Sequence, residues 1–123
     1  MSIEAKELRI GNWYQNKSFD KKLKYKQISY FQDIGYVATY CKPIPLTEEW
    51  LVKFGFEKAQ DEGYLELDVS IGLSIIWLGY LAIEVNGYIT SLSEKEQIYV
   101  HELQNLVHAL TGEELTLKQT ENI

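Results

Sequence analysis

The chain has 123 residues, 46% of them apolar and 13% aromatic, which is too apolar for a disordered protein and about the length of one domain. A domain of this length buries roughly two-thirds of its unfolded surface and folds without staples. The single cysteine, Cys41, excludes an internal disulfide framework and suits a reducing compartment. With 12 Lys+Arg against 18 Asp+Glu, a formal charge of −6, the chain as a whole repels a long polyanion.

The N-terminus, MSIEAKELRIGNW, carries charge from Glu4 onward and has no apolar h-region, so no signal peptide is expected. Arg9 to Gln15 reads as a short aromatic strand just after Ile10-Gly11. In the next stretch Leu23, Tyr25, Gln27 and Ser29 alternate with Lys22, Lys24 and Lys26, the pattern of a half-buried strand with lysines on its wet face. Ile34 to Tyr40 (IGYVATY) is rich in β-branched and aromatic residues and reads as a third strand. Three antiparallel strands in about 40 residues suggest a small curled sheet, SH3-like. Pro43 and Pro45 then interrupt any regular sheet.

A short helix over 47–54 follows. Thr47 is its N-cap, Glu48 and Glu49 sit in the first turn, and Leu46 with Leu51 form a hydrophobic staple. Gly55 takes the left-handed position after the helix, with Phe56 placed for the accompanying apolar contact. Next comes a meander. Leu65, Leu67 and Val69 alternate with Glu66, Asp68 and Ser70; Leu73 to Leu78 is apolar on both faces and reads as a central strand. Leu81, Ile83 and Val85 form another strand, which Asn86-Gly87 turns back through Tyr88 and Ile89 as a type I′ hairpin. The last element is a helix from about Glu94 to Thr111, with Ser93 and Glu96 as a capping box and Gly112 as the C-cap. Val100, Leu103, Leu106, Val107 and Leu110 make its core stripe. The expectation is one α+β domain: N-terminal antiparallel strands, a short helix, an antiparallel meander and a long C-terminal helix packed on the sheet. Within it, 1–46 is a β-rich lobe with a basic strand, 47–117 an acidic helix–meander–helix lobe, and 118–123 a frayed tail.

The longest uncharged stretch, Val69 to Ile83, is 15 residues and broken by glycines, short of the roughly 20 a membrane span needs. The expected home is the cytoplasm of a bacterial host. Charge is strongly divided along the chain. Residues 1–60 carry ten basic and seven acidic side chains, residues 61–123 two basic and eleven acidic, so the halves stand at +3 and −9. Such a division bears on partners and association rates.

Chemistry-bearing patterns are sparse. His101 and His108 lie two helical turns apart, about 10 Å along the axis, too far to share a metal ion, and read as part of a polar helix face with Gln104 and Asn105. Cys41 has no Cys/His signature around it. No phosphate loop or dinucleotide fingerprint occurs, so neither a cofactor nor an enzyme is expected. Two surfaces remain. Asp61, Glu62, Glu66, Asp68 and Glu84 alternate along strands as an acidic face that could dock a partner protein. Lys17, Lys21, Lys22, Lys24 and Lys26 interleave with Tyr14, Phe19, Tyr25 and Tyr30, a mixture that single-strand nucleic-acid binders use. A solvated edge strand guarded by lysines is the simpler reading of that segment, and the single arginine weighs the same way.

Three phrases, ELRIGNWY (Glu7–Tyr14), IPLTEEWLVKFGFEK (Ile44–Lys58) and YVHELQNLVHALTGEELTL (Tyr99–Leu117), resemble a widespread group of small bacterial and phage or prophage proteins. The resemblance implies a shared fold and transfers no active site, cofactor or ligand. Its phage association implies a protein that binds a host protein, such as an inhibitor of a CRISPR or other nucleic-acid-guided defence. A basic effector would be matched by an acidic face.

Overall fold

The computed structural model describes residues 4–17, 23–58, 63–92 and 97–118. After a 3-10 turn at Ala5–Glu7 come strands β1 (Trp13–Lys17) and β2 (Leu23–Gln27), helices α1 (Asp33–Tyr40) and α2 (Glu48–Lys53), strands β3 (Glu57–Lys58), β4 (Leu65–Ser70), β5 (Leu73–Trp77), β6 (Leu81–Val85) and β7 (Tyr88–Ser91), and helix α3 (Val100–Thr111). β1 and β2 form an antiparallel ribbon; β3 to β7 form an antiparallel meander in chain order. This is the α+β arrangement expected. Among the described residues no helix is long and apolar enough to cross a membrane.

One element is of the other type. Ile34 to Tyr40, expected as a strand, lies within α1, so the N-terminal strands make a two-stranded ribbon. Its composition favours strand, but Ile34, Val37, Ala38 and Cys41 recur at helical spacing, and these four pack together with Leu8 and Ile28 in a satellite core. Burial at that period outweighs β-propensity.

α2 forms as expected. The Thr47 hydroxyl accepts from the Trp50 N–H at 3.4 Å. Gly55 adopts φ +104°, and the N–H groups of Gly55 and Phe56 donate to Val52 and Leu51 carbonyls, both at 3.0 Å. That double closure needs a left-handed residue, which glycine supplies without a Cβ clash. The β6–β7 hairpin is type I′, with Asn86 and Gly87 both at positive φ.

α3 starts later than expected. Residues 97–99 are extended because they pair with the proline segment: Leu46 N–H donates to the Ile98 carbonyl and Val100 N–H to the Ile44 carbonyl, each at 2.8 Å. The Glu102 carboxylate accepts from the Tyr99 N–H at 3.0 Å and so caps the start. The expected cap at Ser93 and Glu96, and the start at Glu94, lie outside the described residues. Gly112, left-handed at φ +75°, ends the helix as expected. Of the tail 118–123 only Lys118 is described, and its N–H donates to the Lys53 carbonyl.

The main core lies between α2, α3 and the inner face of the meander. Leu65, Ile75 and Leu81 meet Leu51, Phe54, Val100, Leu103 and Val107, with Trp50 bridging to Trp13 of the ribbon. Leu106 only flanks this core and Leu110 is exposed, which shortens the expected stripe.

The expected polar face of α3 is also different, because its first half is covered on a second side by residues 7–13. His101, Gln104 and their surroundings are therefore buried, whereas His108 is exposed. The His101 ring stacks on Tyr99, and its Nε2 lies 3.8 Å from the Glu7 carboxylate. Gln104, fully buried, donates to the Gly11 carbonyl and accepts from the Trp13 N–H, both at 2.8 Å. Asn105 Oδ1 accepts from Arg9 Nε at 2.8 Å and from Nδ2 of fully buried Asn12 at 3.0 Å, while its Nδ2 donates to the Glu7 carbonyl. Arg9 then grips both carboxylate oxygens of Glu114, at 2.9 and 3.2 Å.

Two outcomes follow from this packing. Leu103→Ala should cost roughly 2–5 kcal/mol by opening a cavity at a fully buried site. Gln104→Leu should cost roughly 1–3 kcal/mol for each backbone group it orphans. Urea titrations should show both as lower midpoints with unchanged slope. A Gln104→Leu protein as stable as the parent would mean that this buried polar network carries no net energy.

Candidate functional site

The register of the meander decides which carboxylates meet. Residues directly opposed in an antiparallel ladder share a face. Asp68 pairs with Ser74 and Ser74 with Glu84; Glu57 pairs with Glu66, which pairs with Ile76. Glu57, Glu66, Asp68 and Glu84 therefore share the face of the meander turned away from the main core, spread over three of its strands. Three of them are acids singled out from the linear pattern. Glu57 joins them, and only the β3–β4 pairing reveals it. Asp61 and Glu62, the other two acids expected here, lie outside the described residues.

This face is not uniformly wet. Ile76 and Ala82 are fully buried on it, while Asp68 is exposed and Glu66 and Glu84 are half-buried. The Asp68 carboxylate accepts from the Ser74 hydroxyl at 2.6 Å, which fixes its direction. Glu57 and Glu66 stand directly opposite one another, a like-charge cross-strand pair that opposes sheet formation by a few tenths of a kcal/mol or more. No basic residue falls on this face of the described strands; Lys58, the single lysine in the meander's strands, is paired with Leu65 on the other face.

The basic segment is distributed differently. Lys26 and Tyr14 are opposed in the ribbon, as are Lys24 and Asn16, and Lys17 and Leu23. Lys21 and Lys22 lie outside the described residues. Tyr25 faces the other way and meets the Trp50 ring edge-on at 5.3 Å, so its ring is part of the packing that seats the ribbon on the core. Lys26 is exposed beside Cys41, while Tyr14 lies within reach of Asp33 and Tyr36 of α1. The helical form of 33–40 brings further aromatics to the surface. Phe31 and Tyr40 are mostly exposed, and Tyr40 packs on exposed Tyr36 at 5.1 Å between ring centroids.

Cys41 is buried, and burial pushes its thiol above the ordinary value, with Lys26 pulling the other way. Burial also raises the Tyr14 hydroxyl, helped by Cys41, Asp33 and Tyr36. A thiol held protonated is a poor nucleophile. A cleft of about 400 Å³ between α2 and the meander is lined by Glu48, Lys58, Tyr64 and Trp77, with no Ser, Thr, Cys or His among its walls. Among the described residues no group of three or more His, Cys, Asp or Glu side chains could hold a metal ion. Compared with family models, curated proteins and solved structures, the chain matches none.

Both raised groups are neutral when protonated, and the folded state holds their protons more tightly than the unfolded chain. Their contribution to stability is therefore full below the ordinary values and is lost as pH rises through the raised ones. Urea midpoints should fall above about pH 8.5, where an unperturbed thiol begins to ionise. Iodoacetamide should label Cys41 in the native protein at pH 7 far more slowly than in urea; equal rates would contradict its burial.

Proposed function

We propose that this chain acts by binding rather than catalysis, docking the outer face of its meander on a basic surface of a host protein. The observation that carries this reading is the gathering of Glu57, Glu66, Asp68 and Glu84 on one face of the meander. A cationic partner would be steered to this face through complementary potentials. The resemblance of the three phrases to bacterial and phage proteins supports a host target. Among host proteins, effectors that hold guide RNA present strongly basic channels, so the reading extends to an inhibitor of such a defence effector. The rigidity of a five-stranded sheet suits this role, since binding then costs little ordering.

A second reading has its own observation. Exposed Lys26 shares the α1 side of the molecule with exposed Tyr36, and lysine with stacked aromatics is the chemistry that holds single-stranded nucleic acid.

Charge reversal separates the two. Asp68→Lys with Glu84→Lys should slow association with a captured host protein about tenfold or more. The effect should shrink at high salt, since exposed charges are screened beyond about 8 Å at physiological ionic strength. Lys24→Ala with Lys26→Ala should leave that complex intact. Capture from host lysate, with and without nuclease and read by mass spectrometry, supplies the partner for the titration. Loss of binding confined to the lysine pair, together with nuclease sensitivity, would replace the docking reading with the nucleic-acid one.

A further inference from the structure

The meander ends differently at its two edges. β3 is two residues long and charged, Glu57 and Lys58. β7 carries Tyr88, Ile89, Thr90 and Ser91, all exposed, with no charge, proline or bulge, and no described strand lies beyond it. Tyr88 is 80% exposed, Ile89 49% and neighbouring Leu92 39%. Natural sheets guard such edges with lysine, proline or irregularity, because unpaired main-chain groups template another strand. Here none of those devices is present.

The ladder shows which groups are open. The Leu92 N–H donates to the Leu81 carbonyl at 3.0 Å, in register with Ile83↔Thr90 and Val85↔Tyr88. By the alternation of an antiparallel ladder, the main chain of Tyr88, Thr90 and Leu92 faces β6. The N–H and C=O of Ile89 and Ser91 face outward.

We propose that β7 is a self-pairing edge, at which two copies of this chain join about a twofold axis through Thr90 to form one continuous ten-stranded sheet. In an antiparallel self-pair the opposed residues must share a face, so the axis passes through a residue and not between two. With Thr90 on the axis, Ile89 lies opposite Ser91 of the second copy and Ser91 opposite its Ile89. Those are the outward-facing residues, so four main-chain hydrogen bonds close. Tyr88 then meets Leu92 of the second copy, an apolar pair made from two exposed side chains, and Thr90 meets Thr90, a pairing that strands favour.

Among the described residues charge does not oppose this arrangement, despite the net −6 of each chain. The nearest meander carboxylate, Glu84, sits one strand back and pairs with Ile89. Across the junction the two Glu84 side chains are three strand spacings apart, about 14 Å, beyond the screening length of about 8 Å. An uncharged strand offers a foreign charged segment no complement, whereas its own sequence matches it residue for residue. Five-residue edges bury less than the roughly 1,200 Å² of a standard stable interface, so the pair is weak and concentration-dependent. A twofold axis perpendicular to the sheet keeps both acidic faces on the same side, which doubles the docking surface. The self-pairing itself stands on the edge geometry and does not depend on that docking reading.

Sedimentation and residue-resolved amide exchange on the full chain test the proposal. Between about 10 μM and 1 mM the average mass should rise from one chain towards two, the range expected of weak pairs. Over the same range Ile89 and Ser91 amides should slow at least tenfold in exchange, while Thr90, bonded to β6 in both states, should not change. Ile89→Lys should abolish the mass increase and the protection; Ile89→Val should keep both. A circular dichroism melt confirms that Ile89→Lys folds, and Ser91→Lys replaces it if it does not. A single-chain mass at about 1 mM, or protection of Ile89 and Ser91 that ignores concentration, would overturn the proposal. So would a chain that stays monomeric but gains protection at those two amides when bound to another protein, since the edge would then serve a foreign strand.

Discussion

Two neighbouring amide side chains, Gln104 and Asn105, tie the entrance of the chain to its last helix. Their partners are the Gly11 carbonyl, the Trp13 N–H, the Glu7 carbonyl, Asn12 and Arg9, and Arg9 in turn holds Glu114. Burial makes these bonds count. A polar group removed from water is tolerated only when its hydrogen bonds are replaced, and here donors and acceptors on both sides are matched. The latch fixes where β1 begins, which places Trp13 against Trp50 and thereby seats the ribbon on the core. It also turns α3 so that Leu103 and Val107 face the meander while Gln104 faces residues 7–13. A hydrophobic core alone would allow the ribbon several positions. Directional bonds leave one.

Much of the fold is legible in the linear sequence, and the reasons are local. The caps of α2, the Asn86-Gly87 turn and the alternation in β4 and β6 depend on residues a few positions apart. α1 is misread because two local signals compete: IGYVATY has strand composition, yet its apolar residues recur at helical spacing and only packing against Leu8 and Ile28 decides between them. The start of α3 is misplaced because its true boundary is a pairing with residues 44–46, which no local cap announces. Long-range partners are invisible for the same reason. Gln104 and Asn105 look like solvated helix residues until the segment that covers them, more than 90 positions away, is known.

The surface follows the same division. Alternation in β4 and β6 puts Glu66, Asp68 and Glu84 on one face without further information, while Glu57 enters only through a two-residue edge strand. The lysine segment shows how a side chain can leave a functional reading. Tyr25 has the composition of a stacking platform, but it meets Trp50 and steadies the ribbon. The aromatics open to solvent on that side come instead from α1. The segments Glu7–Tyr14 and Tyr99–Leu117 contain the latch's Arg9, Asn12, Gln104, Asn105 and Glu114.

The latch has a further consequence for synthesis. Its bonds join residues separated by 91 to 105 positions. During translation the ribbon emerges first, with Asn12 and the Gly11 and Trp13 backbone groups exposed to water and Trp13 without its settled neighbour. Loop closure over such a distance carries its full entropic cost before any of these bonds forms, which makes the step slow. Until residue 114 has left the ribosome, the nascent chain therefore holds an aromatic, strand-forming segment in the open, within reach of chaperones and proteases. A ribosome that stalls within α3 leaves a product that cannot be tied shut, and quality control can distinguish it from the finished protein by that exposed ribbon.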